Sequence, residues 1–144
     1  MSKKEIYRLQ NGSDIRGTAC SDGSGQEIDL TKEIVYKLGF AFANWLSIKT
    51  KKEPKNLKIG IGRDSRITGQ ELLSACVSGL VAGGAKVSNC SLSTTPAMFM
   101  SCIFDQTDFD GSVMITASHL PFNKNGLKFF DKNGGLDHED ITII

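Results

Sequence analysis

Four short parts of the chain carry polar side chains whose types suit an anionic ligand. They are residues 13–17, 62–66 and 116–119, together with Lys128, which lies beside Phe129 in an apolar stretch. Together they supply arginine, lysine, aspartate, serine and histidine. A guanidinium group pairs with two phosphate oxygens at once, and a lysine ammonium places a compact charge near an attacking or leaving oxygen. This combination predicts binding of a phosphorylated substrate.

Two common catalytic signatures do not occur around these residues. Ser118 and neighbouring His119 could form a nucleophile and its proton acceptor, but a G-x-S-x-G turn would need glycines where Thr116 and Leu120 stand. No segment matches G-x-x-x-x-G-K-[ST], the phosphate-binding loop of nucleoside triphosphatases. The pattern therefore favours neither an α/β-hydrolase nor nucleoside triphosphate chemistry.

Each candidate residue also has a purely structural interpretation. Asp14 and Asp64 could be turn formers that hydrogen-bond their own backbone, and the arginines of 62–66 could belong to a solvated loop. Lys128 could be the outward residue of an alternating strand, and the Ser-His dipeptide could be a chance neighbour. Residue types alone therefore indicate an α/β domain that binds a phosphate, without choosing between the two interpretations.

Composition excludes several classes of partner. The chain has 144 residues, with 17 Lys and Arg against 16 Asp and Glu, and a formal net charge of +1. This length predicts one globular unit, and the balanced charge provides no basic field for nucleic acid or an anionic membrane. Apolar runs fall far short of the ~20 residues of a membrane helix, and the polar start at residues 1–5 does not resemble a secretory signal. We expect no nucleic acid and no membrane as partners.

The cysteines predict a reducing, cytoplasmic location. Cys20, Cys76, Cys90 and Cys102 show no C-x-x-C spacing, and the chain has only two histidines to complete a metal set. Cys76 lies among leucines and a valine, where a thiol acts as a small apolar filler. All four cysteines are expected to be reduced and structural.

Helical and strand periodicities alternate along the chain. Helices are predicted at about 31–48, from a Thr68–Glu71 capping box to the glycines at 83–84, from Pro96 to about 104, and from the cap Asp137 onward. Strands are predicted at 57–61, 85–90, 113–115 and 127–130, with a turn at 133–135. The polar segments 13–17, 62–66 and 116–119 are expected to be loops between these elements.

This alternation predicts an α/β fold with a three-layer α/β/α architecture and a mainly parallel mixed sheet. Ligands of such sheets bind in loops at the carboxyl ends of the strands. The chain ends on the apolar residues 141–144 without a closing element. We therefore expect it to be one module of a longer protein.

The polar segments resemble motifs of the α-D-phosphohexomutases, the phosphoglucomutase/phosphomannomutase family. TASHLP at 116–121, followed by NGLK at 125–128, resembles the family's phosphoserine loop, TASHNP followed by NG-x-K. GRDSR at 62–66 and DIRG at 14–17 resemble two further elements of the family. The three motifs occur in the family's order, and the resemblance covers most of the chain.

The resemblance implies a role for each matching residue. Ser118 matches the serine that carries the catalytic phosphoryl group, and His119 matches a neighbouring contact in the active site. Lys128 and Arg16 match residues near the transferring phosphoryl group, a pair with a general acid/base role. All four would also contact the substrate. The segment of Arg63 and its neighbour Asp64 matches one that supports the serine loop.

The implied activity is that of an intramolecular phosphotransferase, an isomerase that interconverts hexose 1-phosphate and hexose 6-phosphate. Phosphoserine gives its phosphoryl group to the substrate, a bisphosphorylated sugar turns over in the site, and the other phosphate returns to Ser118. The implied cofactors are Mg²⁺, which Ser118 contacts through its phosphate, and hexose 1,6-bisphosphate as an activator.

The family pattern also implies that residues 1–144 are domain I of a multidomain enzyme. The family's D-x-D-x-D magnesium loop, its sugar-selecting segment and its distal phosphate site belong to the second, third and fourth domains. The implied partners are a phosphohexose substrate and the other domains of the same enzyme. Two residues depart from the pattern: Leu120 replaces the usual Asn, and Ser13 stands where many members have an aromatic residue.

Two alternatives remain beside a phosphoglucomutase/phosphomannomutase. One is a phosphoglucosamine mutase, since sugar selection depends on a domain outside these residues. The other is a non-catalytic phosphosugar-binding or regulatory protein that keeps the fold and has lost transfer. The intact Ser118, His119, Lys128 and Arg16 favour an enzyme, whereas Leu120 favours lost transfer.

Overall fold

One mixed sheet of seven strands organises residues 6–144, the part of the chain that the computed structural model describes. The strands are β1 Gln10–Asn11, β2 Asp14–Thr18, β3 Lys58–Arg63, β4 Lys86–Leu92, β5 Gly111–Ile115, β6 Lys124–Asp131 and β7 Gly134–Gly135. The helices are α1 Lys32–Thr50, α2 Gly69–Ala82, α3 Thr95–Met100 and α4 His138–Ile143. The polar start at 1–5, from which no secretory signal is expected, lies outside the described residues.

The strand order is β1-β2-β6-β5-β3-β4, with β7 paired to β6. The predicted α/β class with a mixed sheet is confirmed, but parallel pairing is confined to β3 and its two neighbours, β4 and β5. The other pairings are antiparallel, so the sheet contains less parallel pairing than expected. The reason is connection length. Helices α2 and α3 return the chain for parallel pairing, whereas residues 116–123 between β5 and β6 are too few for a crossover.

Helices cover both faces of the sheet and form the predicted three layers. On one face α1 and α2 pack over the sheet, where the Phe42 and Phe129 rings lie 4.8 Å apart between centroids. On the other face α3 contributes Met98, which packs with Met114 and Phe130 in a smaller cluster. Among residues 6–144, no helix combines the length and apolarity needed to cross a membrane.

The third helix begins where predicted and ends earlier. Thr94 caps it, accepting a hydrogen bond from the Ala97 amide, and Pro96 lies in its first turn. The prediction that it runs to about residue 104 is wrong. The Ser101 carbonyl accepts from the Thr107 hydroxyl at 2.6 Å and the Phe109 amide at 3.2 Å, so it is not used to continue the helix.

The predicted capping box at Thr68 and Glu71 is also wrong. Thr68 has helical dihedral angles, and its side chain makes no capping hydrogen bond. Its hydroxyl instead accepts a hydrogen bond from the Asn125 amide at 2.9 Å. The Thr68 hydroxyl therefore binds a side chain that is distant in sequence and does not cap the start of α2. The cap at Asp137 is confirmed, and the full box includes Asp140.

Thr68→Ala is expected to lower the free energy of unfolding by about 1–3 kcal/mol, because it leaves the buried Asn125 amide without its acceptor. Thr68→Ser keeps the hydroxyl and is expected to cost much less. Urea denaturation of the two variants measures the difference, with an unchanged slope. Equal costs for alanine and serine would show that the hydroxyl contact contributes nothing.

The four cysteines are free, as predicted. Cys76 is fully buried between α1 and α2, and this burial raises the pKa of its thiol to about 12. Burial also raises the pKa values of Cys90 and Cys102. These thiols lack the thiolate character of a reactive cysteine, which supports their structural interpretation.

Candidate active site

Ser118 lies on the connection between β5 and β6, residues 116–123, which we call the serine loop. Its side chain is exposed, and its backbone is in the left-handed region with φ 56°. The Ser118 amide donates to Thr116 Oγ1 at 2.9 Å, and the Ser118 hydroxyl lies 3.3 Å from His119 Nδ1. The loop therefore presents a hydroxyl to solvent with an imidazole beside it, at the sheet edge where the parallel strands β3 and β5 end.

The loop after β3 contacts the serine loop through Asp64. The Asp64 amide donates to the Ile115 carbonyl at 3.1 Å, and its Oδ2 accepts from the Thr116 hydroxyl at 2.6 Å. Arg63 donates to Gln70 Oε1 at 3.1 Å and to the Asp64 carbonyl at 3.0 Å. Asp64 thus contacts the serine loop directly, whereas the contacts of Arg63 reach it only through Asp64.

Arg66 makes the most extensive contact with the serine loop, and sequence reasoning assigned it no role there. Its guanidinium donates to four backbone carbonyls, those of Ser118, Leu120, Pro121 and Lys124, at 2.8 to 3.0 Å. Its side chain is only 11% exposed. Nothing in the spacing of GRDSR distinguishes a buried arginine from a solvated one, so only the structure reveals this contact.

Arg16 and Lys128 are brought together by Asp14. The Lys128 ammonium lies 2.6 Å from Asp14 Oδ1, and an Arg16 guanidinium nitrogen lies 3.0 Å from Asp14 Oδ2. The prediction that residues 13–17 form a loop is wrong, because Asp14–Thr18 is strand β2. Since alternate residues of a strand share a face, a strand assignment would have placed Asp14 and Arg16 side by side.

The Arg16–Lys128 pair lies on the same sheet face as the start of the serine loop. Arg16 is opposite Gly126 in the register of β2 and β6, and Lys128 is two residues along β6. A Cβ added at Gly126 would lie 3.2 Å from Arg16 Cγ and 2.9 Å from the Thr116 carbonyl oxygen. Arg16 Cγ and the Thr116 carbonyl oxygen therefore border the space that a side chain at position 126 would fill. Because glycine has no side chain, Arg16 can lie beside Thr116, the first residue of the serine loop.

A polar segment before α1 lies against the end of the serine loop. The Asn123 carbonyl accepts from the amides of Ala19 and Cys20, and its side-chain amide donates to Asp22 Oδ2 at 3.0 Å. Hydrogen bonds from the side chain and backbone of Ser24 lower the pKa of Asp22. This exposed segment adds hydrogen-bonding groups near the loop and no further cation.

The described residues do not fit a magnesium site by themselves. Among residues 6–144, no group of three or more His, Cys, Asp or Glu side chains could hold a metal ion. Two carboxylates of the site are already engaged: Asp14 binds two cations, and Asp64 binds the Thr116 hydroxyl and the Arg66 amide. An exposed hydroxyl, an imidazole and a paired arginine and lysine suit positioning and charge neutralisation of a phosphoryl group.

Comparisons with known proteins find a matching family model and similar chains. Residues 8–143 match the family model described as phosphoglucomutase/phosphomannomutase, alpha/beta/alpha domain I. A phosphoglucosamine mutase of Ruminiclostridium cellulolyticum is 39% identical over 127 residues, which cover 88% of this chain and 26% of that protein. A phosphoglucosamine mutase of Bacillus subtilis is 40% identical over 120 residues, 83% of this chain and 24% of that protein.

A solved structure has the same fold. The crystal structure of a phosphoglucomutase/phosphomannomutase family protein from Burkholderia thailandensis superposes with a TM-score of 0.71 at 21% identity. The superposition covers 99% of this chain and 30% of that protein. The chain therefore spans about a quarter of the length of the curated relatives that it matches.

Proposed function

Because the chain belongs to the phosphoglucomutase/phosphomannomutase family, as its α/β/α domain I, we propose that it is the phosphoserine-bearing domain of a phosphohexomutase. One observation carries the proposal. The exposed Ser118 hydroxyl lies on the serine loop, and the Arg16–Lys128 pair lies on the adjoining sheet face beside the start of that loop. The complete reaction then requires the further domains of the same enzyme, with a phosphohexose as substrate.

The proposed cycle breaks one Ser118 Oγ–phosphorus bond and later forms another. A substrate hydroxyl gives up its proton and attacks the phosphoryl group on Ser118. The Ser118 Oγ–phosphorus bond breaks, and the leaving serine oxygen takes up a proton. The bisphosphorylated sugar then presents its other phosphate, and Ser118 Oγ attacks it while giving up its own proton. The bond between that phosphorus and the sugar oxygen breaks, and the sugar oxygen takes up a proton. A neutral serine is a poor nucleophile, so this second step needs a proton acceptor. His119 Nδ1, 3.3 Å from Oγ, is the nearest ring nitrogen to that proton.

Arg16 and Lys128 are assigned to the phosphoryl group. A phosphoserine carries about −1.5 to −2 charges at neutral pH, and loose phosphoryl transfer depends mainly on positioning and on stabilising charge. Asp14 holds both cations by the two oxygens of one carboxylate. This arrangement fixes their spacing without engaging every donor of either side chain, which leaves N–H groups for phosphate oxygens.

Magnesium and hexose 1,6-bisphosphate belong to this proposal as cofactor and activator. Since the described residues do not fit a metal ion, its carboxylate ligands would come from another domain, with Ser118 contributing only through its phosphate. A cytoplasmic location is also proposed, and four free cysteines support it.

The names of the relatives favour one sugar class. Proteins 39% and 40% identical to this chain are phosphoglucosamine mutases, so glucosamine phosphate is the substrate we propose to test first. Turnover of glucosamine 1-phosphate should be compared with that of glucose 1-phosphate and mannose 1-phosphate in the full-length protein. A preference for either neutral sugar would contradict this choice while leaving the mutase proposal intact.

The isolated 144-residue chain is expected to show no turnover of any of these three substrates with Mg²⁺. Residues 6–144 contain no group of side chains that could hold a metal ion, and sugar selection is proposed to depend on other domains. A coupled assay for the hexose 6-phosphate product measures this, with the full-length protein as positive control. Magnesium-dependent turnover by the isolated chain would overturn the proposed division of labour, and an inactive full-length protein would overturn the mutase assignment.

A further inference from the structure

The backbone of Ser118 has a conformation that serine rarely adopts. Its φ of 56° lies in the left-handed region, where a Cβ crowds the backbone. Such a conformation persists only when surrounding contacts impose it. The contacts that could do so lie on the two sides of Ser118, and both come from the short segment 64–66 after β3.

The carboxyl-terminal side of the serine loop is held by Arg66. One nitrogen, Nη2, donates to the carbonyls of Ser118 and Leu120, each at 2.8 Å. The other, Nη1, donates to those of Pro121 and Lys124 at 2.8 and 3.0 Å. Four carbonyls within the seven residues 118–124 therefore point toward the same guanidinium group. The Ser118 carbonyl is one of them, so Arg66 fixes its direction.

The amino-terminal side is held by Asp64. Its Oδ2 accepts from the Thr116 hydroxyl, whose oxygen in turn accepts from the Ser118 amide. Its Oδ1 accepts from the Arg66 amide at 3.1 Å, and Oδ2 lies 3.3 Å from Arg66 Nε. Asp64 and Arg66 thus form one unit that fixes the amide and the carbonyl of Ser118 together.

We propose that Arg66 is a positioning residue for phosphoryl transfer at Ser118. It holds the serine in its left-handed conformation and aims its hydroxyl outward. This inference rests on the proposed function, in which Ser118 carries the phosphoryl group. Arg66 does not touch the substrate, because its terminal nitrogens are engaged by carbonyls and its side chain is nearly buried. Lysine cannot substitute, since its ammonium has three donors on one nitrogen and cannot donate to all four carbonyls.

The first test examines the loop itself in the 144-residue chain. Hydrogen exchange of the amides in 117–124 is expected to be at least about tenfold faster in Arg66→Lys, with exchange in β5 and in the rest of β6 unchanged. Arg8→Lys, at an exposed position before β1, is the control and should exchange as the original protein does. Unchanged exchange in the loop of Arg66→Lys would overturn the proposal whatever the enzyme assay shows.

The second test separates positioning from stability in the full-length protein. Arg66→Ala is expected to lower kcat by about 100-fold with KM within about threefold, as misplacement of a reacting group does. Millimolar guanidinium chloride, well below denaturing concentrations, should restore part of kcat in this variant and none in Ser118→Ala. A variant that loses only thermal stability, with kcat per folded molecule unchanged, would overturn the positioning role. Inactivity of the unsubstituted protein would instead refute the proposed function, and the exchange result would still decide the role of Arg66 in the loop.

Discussion

Ser118→Ala is expected to lower mutase turnover in the full-length protein by a factor on the order of 10³ or more. The reason is that the proposed cycle has no other group to carry the phosphoryl between the two positions of the sugar. The side chain is exposed, and among residues 6–144 its hydroxyl hydrogen-bonds only with the neighbouring imidazole, so the fold should be unaffected. Turnover of glucosamine 1-phosphate and the circular dichroism spectrum measure the two parts of this prediction.

Ser91→Ala provides a matched control for this experiment. Ser91 is also an exposed serine in the left-handed region, with φ 56°, and its amide also donates to a nearby side chain, that of Asn89. It lies in the outer strand β4, which β3 separates from β5, so turnover should stay within about twofold. Intact mass measurement should further detect a phosphoryl group on the unsubstituted protein and on Ser91→Ala, but not on Ser118→Ala. Activity of Ser118→Ala above about a tenth of normal would refute the carrier role.

Lys128→Ala is expected to lower kcat by about 10²–10³-fold, the usual cost of removing one preorganised charge from a phosphoryl or oxyanion site. The loss combines a missing cation with a change at Asp14, which would keep only Arg16 as a partner. Lys128→Arg retains the charge and the contact with Asp14, so it should recover a large part of kcat. Initial rates under saturating substrate measure both variants.

Lys86→Ala serves as the control for Lys128→Ala. Lys86 begins the outer strand β4 and is exposed, so its loss should change kcat by no more than about twofold. Urea denaturation of all three variants separates a folding defect from a catalytic one. If Lys128→Ala reduced turnover only a few-fold, Lys128 would be an ordinary outward residue of an alternating strand.

The amino-acid sequence determined the class of the fold and the chemical inventory of the site. Periodicity located α1 and α2, and Asp137 marked the start of α4, because these elements depend on local spacing and local hydrogen bonds. The same periodicity placed Ser118 on a loop and Lys128 in a strand, as the structure has them. These features depend on residues that are close together in the sequence, so the sequence pattern is enough to predict them.

Only the tertiary structure decided how distant segments act on one another. Thr68 has the sequence context of a helix cap, yet its hydroxyl binds Asn125, which is 57 residues away. Asp14 has the sequence context of a turn former, yet as part of β2 it joins Arg16 to Lys128 of β6. Arg66 is one of two similar arginines in GRDSR, and nothing local marks it as the one that holds the serine loop. Each of these side chains can hydrogen-bond to many kinds of polar group, and the folding of distant segments against one another determined which group lay within reach.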